Sequence, residues 1–429
     1  MNEAVREIFP LERPPDAIVV VPGSKSISNR AALLAALADG RSVLENVLFS
    51  DDTRYMAAAL RALGVQVEAD AASSRLVIEG CGGHWPAVEA DLFVGNAGTA
   101  MRFLTAALCL GSGTYRIDGS PRMRERPIRE LVDALRPLGA DLECVPDTGA
   151  PPVVVWAHGL PGGFTRLSAV RSSQFASALL QVAPYAERDV VIELVGEVIA
   201  HPYIDLTIAM MAQWGVVVER DGYRAFRVRS GQRYAAQRYA IEPDASSAHY
   251  FWAAAALTGG RVEVRGLGHR SLQGDVQFAA LLERMGAAVR WRDDSIEVAG
   301  AGALCGIEAD LNACSDTAPT LAALAPFAAG PVHIRNVAHL RWQESDRLRA
   351  VATELARLGA HVEEHPDGLS VWPSPLRGAS IETYDDHRIA MAFALVGLRV
   401  PGVVIKNPGC VAKTFPDFFQ RLDALRADG

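Results

Sequence analysis

One local pattern recurs at long intervals and limits what this chain can become. A helix-like run ending in glycine and followed by alternating strand residues appears as "LRALGVQVE", "LRPLGADLE", "MAQWGVVVE", "LERMGAAVR" and "LARLGAHVE". The glycines are Gly64, Gly139, Gly215, Gly286 and Gly359, always between 71 and 76 residues apart, and "LDALRADG" places Gly429 where a truncated sixth copy would end. Glycine just past a helix is the usual left-handed cap, and the alternation after it reads as a strand. A period near 70 is too long for a solenoid and suits a unit of two helices and several strands. Six such units in 429 residues predict an α/β chain of two domains, three units in each. Leu-x-x-Leu-Gly endings are also common in unrelated α/β proteins, and only the regular spacing favours a repeat. The polar stretch near "QRYAIEPDASS" marks a boundary after the third unit, and the first ~22 residues fit either half.

Composition narrows the function. Half the residues are apolar and the net charge is −8, which fits a globular chain and argues against wholesale nucleic-acid binding. No apolar run is long enough to span a bilayer, and the start "MNEAVREIFPLERPP" lacks the pattern of a signal peptide. The six cysteines show no CxxC spacing and the ten histidines no HExxH, so reduced thiols in a cytoplasmic protein without a metal or cofactor are expected. Lys25, Lys406 and Lys413 are the only lysines among 42 basic residues. In so arginine-rich a chain, a retained lysine suggests a task needing a compact ammonium.

Several segments carry more polar groups than packing requires. "GSKSISNR" holds Lys25, Ser26 and Arg30 where a helix begins, and free N–H groups at such a start favour an anion. "GNAGTAMRFL" places Asn96 and Gly98 ahead of another helix, and "SPRMRERP" sets Arg122, Arg124 and Arg126 within five residues, mutually repelling unless an anion sits among them. "RWQESDRLR" offers Glu344 and Arg347 three apart, "YDDHRIAM" offers Arg388, and "NPGCVAKTF" offers Lys413. "SSQF" adds Ser172, Ser173 and Gln174, and "ACSDTAPT" adds Asp316. Each segment alone reads equally well as a capped helix start or a solvated loop. Together they supply many cations and few carboxylates, as a pocket for phosphate and carboxylate groups would, with Glu344 and Asp316 as proton carriers.

In chain order, "PGSKSISNRAALLAAL", "GNAGTAMR", "PRMRERPI", "SSQF", "DASSA", "QESDRL", "DDHRIAMAFAL" and "AKTFPDFF" resemble the motifs of the 5-enolpyruvylshikimate-3-phosphate synthase family, from about Val21 to Phe419. The resemblance implies two similar domains, each of three βαβαββ repeats about a pseudo-threefold axis, with the active site in the cleft between them. It implies domains of residues 22–242 and of 1–21 plus 243–429. It implies transfer of the enolpyruvyl group of phosphoenolpyruvate to the 5-hydroxyl of shikimate 3-phosphate, with loss of phosphate, no cofactor, and a monomer whose partners are these small molecules. Matched motif by motif, Lys25, Asn96, Gly98, Arg126, Arg347, Arg388 and Lys413 are expected at phosphoenolpyruvate. Lys25, Ser26, Arg30, Ser172, Ser173, Gln174, Tyr203, Asp316, His339 and Gln343 are expected at shikimate 3-phosphate, with Lys25, Asp316 and Glu344 catalytic. The family is also the target of glyphosate, and Gly98 implies sensitivity to it.

Four places depart from the family pattern: Gln343 where lysine is frequent, His339 in place of asparagine, the pair Ala200-His201 in place of Ser-Lys, and Phe103 in place of proline. The first three fall on the shikimate-phosphate side, so an altered acceptor affinity is expected before an altered reaction. A sister family that transfers enolpyruvyl to UDP-N-acetylglucosamine fits less well, since its loop cysteine and Lys-Asn pair are missing. A non-catalytic metabolite binder would not need both Asp316 and Glu344.

Overall fold

The computed structural model describes residues 4–300 and 302–426; Gly429, the end of the sixth copy, lies outside them. The chain divides into two compact units, one running from Gly23 to Ile241 and the other combining the residues up to Pro22 with those from Glu242 onward. Among the described residues no helix is long and apolar enough to cross a membrane.

In the first unit the helices are α1 (Lys25–Leu37), α2 (Asp51–Ala62), α3 (Gly98–Leu108), α4 (Arg129–Leu135), α5 (Ser173–Val182) and α6 (Pro202–Gln213). In the second they are α7 (Ala245–Thr258), α8 (Gln277–Arg284), α9 (Ala318–Leu324), α10 (Arg347–Arg357), α11 (His387–Gly397) and α12 (Phe418–Ala424). Each successive pair belongs to one small sheet. Strand Glu89–Phe93, for example, runs parallel to Ser112–Asp118 through the crossover of α3; Val153–His158 pairs antiparallel with the latter and Asp141–Cys144 antiparallel with Val153–His158. The same order recurs in four other sheets, and a sixth has three strands.

Chain closure is not sequential. Strand Arg238–Ala240 completes the sheet built on Asp39–Glu45, Asp16–Val19 completes the one built on Arg261–Arg265, and Val5–Ile8 completes the one built on Val403–Lys406. Only two covalent connections therefore join the units, at Pro22–Gly23 and Ile241–Glu242.

The five repeat glycines all have φ between +87° and +102°, and each follows the second helix of its repeat. At that angle a Cβ would crowd the following carbonyl, so the cap selects glycine and turns the chain into the next strand. The first helix of each repeat is predominantly apolar and goes inside: every residue of α3 and of α11 is buried. α3 packs on α1 and α5, and α7, α9 and α11 pack on one another. Five of the polar segments stand at the N-termini of these inner helices, where backbone N–H groups lack helical partners, and those of Arg126, Arg347 and Lys413 precede the second helix of their repeats, α4, α10 and α12.

Candidate active site

In the first unit, Ser24 caps α1, its Oγ accepting from the Ile27 N–H at 3.4 Å, and Lys25 is the first helical residue. The Lys25 ammonium lies 3.6 Å from the Asp52 carboxylate, which is buried on α2. Arg30 is 2% exposed and engaged by the protein itself. Its Nε donates to Thr207 Oγ1 at 2.8 Å, Nη1 to the Ser26 carbonyl at 3.0 Å, and Nη2 to Ser177 Oγ at 3.3 Å and the Tyr203 carbonyl at 3.2 Å. Burial pulls its pKa down to about 10 against the opposing pull of Tyr203. Arg30 thus ties α1 to α5 and α6 and fixes the backbone of two other expected ligands, Ser26 and Tyr203. Ser172 caps α5, accepting from the Gln174 N–H at 3.2 Å; Ser173 is buried beside it and Gln174 half-buried.

The arginine-rich loop resolves differently from the sequence expectation. Arg124 pairs with Asp118 at 2.7 Å and Arg122 with Glu125 at 2.8 Å, so protein carboxylates already answer these two charges. Arg126 instead turns to the start of α3, where Nη1 donates to both the carbonyl and Oδ1 of Asn96 at 3.0 Å. Arg102, one turn into α3, donates to the carbonyls of Gly98 at 3.2 Å and Pro127 at 2.9 Å. A Cβ on Gly98 would stand 2.5 Å from Arg126 Nη2 and 2.9 Å from Arg102 Nη1. The hydrogen at Gly98 is therefore what lets two guanidinium groups close over this helix start.

In the second unit the groups converge on Arg347, buried at the first position of α10. Nη1 meets Asp316 at 3.1 Å, Nη2 meets Glu344 at 2.8 Å, and Nε meets Asp386 at 2.8 Å. Burial alone would lower its pKa, but the three carboxylates outweigh it and raise it above the ordinary arginine value. Arg388 meets the other Asp316 oxygen at 2.6 Å, and the Lys413 ammonium lies 3.7 Å from Glu344. Asp386 caps α11 through the Arg388 N–H at 3.0 Å and also accepts from Ser345 Oγ at 2.9 Å. His339 is buried with Nε2 2.8 Å from Ser315 Oγ, and burial lowers its pKa to about 4, so the ring is neutral at pH 7. Gln343 stands half-buried between Glu344 and an exposed Trp342.

The structure therefore brings Asp316, Glu344, Arg347, Arg388 and Lys413 together in one unit and Asn96, Gly98 and Arg126 together in the other. Sequence reasoning missed Asp52, Arg102 and Asp386 as partners of these groups. "DDHR" was noted, but nothing in the letters ties residue 386 to residue 347. Two carboxylates on adjacent nitrogens of one guanidinium, with two further cations in reach, make a site that can carry protons and neutralise an anion at once.

Comparison with known proteins gives the family. Residues 12–422 match the family model described as EPSP synthase (3-phosphoshikimate 1-carboxyvinyltransferase). A protein of Nostoc punctiforme named 3-phosphoshikimate 1-carboxyvinyltransferase is 51% identical over 415 residues, 97% of each chain. One of Aeromonas salmonicida with the same name is 51% identical over 411 residues, covering 95% of this chain and 96% of that one. The solved EPSP synthase of Acinetobacter baumannii superposes with a TM-score of 0.81 at 27% identity, over 98% of both chains. With nearly its whole length matched, and at half identity to named relatives, the chain belongs to the EPSP synthase (3-phosphoshikimate 1-carboxyvinyltransferase) family.

Proposed function

We propose that this chain transfers the enolpyruvyl group of phosphoenolpyruvate to the 5-hydroxyl of shikimate 3-phosphate and releases phosphate, by addition followed by elimination. The observation that carries the chemistry is Arg347, which holds Asp316 and Glu344 on neighbouring nitrogens. In this reading Arg126, Arg347, Arg388, Lys413, Lys25 and Asn96 take the phosphate and carboxylate of phosphoenolpyruvate, with Gly98 lining their approach. Ser26, Ser172, Ser173, Gln174, Tyr203, His339 and Gln343 take shikimate 3-phosphate, and Arg30 supports Ser26 and Tyr203.

Asp316 accepts the proton of the 5-hydroxyl as that oxygen bonds to the central carbon of phosphoenolpyruvate. Glu344 gives a proton to the methylene carbon, which becomes a methyl group. An arriving dianion takes over the cations that Glu344 holds. A carboxylate that loses positive neighbours and gains negative ones binds a proton more tightly. The tetrahedral adduct then returns a methyl proton to Glu344, the carbon–carbon double bond re-forms, and phosphate leaves among the cations, taking up the proton that Asp316 held. Lys25 helps to hold the departing charge.

Turnover in heavy water tests this route. A solvent deuteron delivered by Glu344 must appear in the methylene of the product, and product free of deuterium would rule out protonation at that carbon. The proposal extends to a monomer working in the cytoplasm, in keeping with six free thiols, and sedimentation and cell fractionation test those two points.

A further inference from the structure

Arg347 is fixed at one end of α10, and a second attachment lies further along the same helix. Glu354 is seven residues on from Arg347, two turns and about 10 Å along the axis, so both point from one face. Glu354 is a fully buried carboxylate outside the chemistry described above. It accepts from the Tyr384 hydroxyl at 2.8 Å, from the Glu382 N–H at 3.1 Å, and pairs with Arg357 at 3.2 Å. Tyr384 is two residues from Asp386, the partner of Arg347. The segment leading into α11 thus grips α10 at two points, Asp386 on Arg347 and Tyr384 on Glu354.

The backbone of that segment is unusual. Tyr384 and Asp385 have φ of +55° and +53°, left-handed values that residues with a side chain hold only where the surroundings impose them. Asn407 pins Asp385 from outside, its Nδ2 donating to Oδ1 at 3.0 Å, and Lys406 pairs with Glu382 at 3.3 Å. The Asp386 N–H donates to the Thr383 carbonyl at 2.8 Å, which closes the elbow. A helix held at one point can swivel about it. One held at two points two turns apart has its rotation and slide both set.

We propose that Tyr384 and Glu354 are positioning residues that fix α10 against the start of α11 and so aim Arg347 and Arg388 at phosphoenolpyruvate. The inference rests on the reading of those two arginines as phosphoenolpyruvate ligands. The Tyr384 phenol is suited to the task because burial and the Glu354 carboxylate push its pKa up to about 12, keeping it a donor across the working range.

Steady-state kinetics of the full chain with each substrate varied in turn test it. Tyr384→Phe removes one hydroxyl and is expected to raise the KM for phosphoenolpyruvate about tenfold, the size of one hydrogen bond to a charged group, and to leave that for shikimate 3-phosphate within about twofold. Glu354→Gln keeps an acceptor for the phenol and is expected to be milder than Glu354→Ala. An unchanged KM for phosphoenolpyruvate in Tyr384→Phe, or an equal rise in both KM values, would overturn the positioning role. Arg347→Lys separates the two layers of the argument. If it too leaves the phosphoenolpyruvate KM unchanged, the ligand assignment fails rather than the clamp.

Discussion

Gly98 and Asp386 show how single side chains set the two halves of the chemistry. A methyl group at position 98 must displace Arg126 or Arg102, since its Cβ would lie under 3.0 Å from both. Both are ends of flexible side chains, so Gly98→Ala is expected to fold, to raise the KM for phosphoenolpyruvate several-fold, and to weaken inhibition by glyphosate more than it weakens the substrate. Inhibition curves for the two proteins at matched substrate saturation check this. Asp386 is wholly buried against Arg347, so Asp386→Asn removes one of the three negative partners of a buried guanidinium. With Asp316 and Glu344 still on Arg347, urea titration of the variant should show a loss of about 1–3 kcal/mol, the cost of losing a buried hydrogen bond to a charged group, together with activity. Local letters made Gly98, Lys25 and Glu344 legible as candidates, because a helix start and its polar residues are adjacent in sequence. Asp52 and Asp386 were not, because each acts on a residue that only the fold brings near, and neither was the reach of Arg102 from Gly98 across to Pro127.

At the scale of elements, the joints between helix and strand were the most legible part of the chain. A left-handed cap is a local demand that only glycine meets without strain, so its period could be read directly from the sequence. Two of these caps differ in surroundings. At Gly286 a Cβ would meet nothing closer than 3.9 Å, whereas at Gly64 it would stand 2.8 Å from Pro86. Gly286→Ala should therefore cost only the conformational penalty, about 1 kcal/mol, and Gly64→Ala clearly more. Denaturant midpoints for the two variants decide it; equal losses would mean that the contact with Pro86 relaxes freely. The strand exchanges were not legible from pattern. Asp16–Val19 and Arg238–Ala240 carry ordinary strand signals, and their partner sheets are fixed by closure of each unit rather than by any local residue.

For the whole molecule, buried titratable groups give stability a dependence on pH whose sign can be worked out. His339 has its pKa lowered from 6.5 to about 4 by burial, so the unfolded chain binds more protons between those values. Its contribution is present above pH 6.5 and is lost, by about 3 kcal/mol, as pH falls toward 4. Asp275 runs the other way. Burial, with the charge of Asp316 nearby, raises its pKa from 3.8 to about 7, so its contribution is present below 3.8 and fades as pH rises through 7. The two slopes oppose each other in the wild type. His339→Asn should make stability fall more steeply from pH 4 to 7, and Asp275→Asn should make it rise, as denaturation at a series of pH values would show.

The central claim is that one carboxylate, Glu344, moves the proton that lets enolpyruvyl pass between two substrates. The most direct measurement is phosphate release by the purified chain given phosphoenolpyruvate and shikimate 3-phosphate, beside Glu344→Gln. The account expects release only when both substrates are present, and a fall of about 10²-fold or more in the variant, the usual weight of a positioned acid. Release from phosphoenolpyruvate alone, or a variant as active as the wild type, would contradict it.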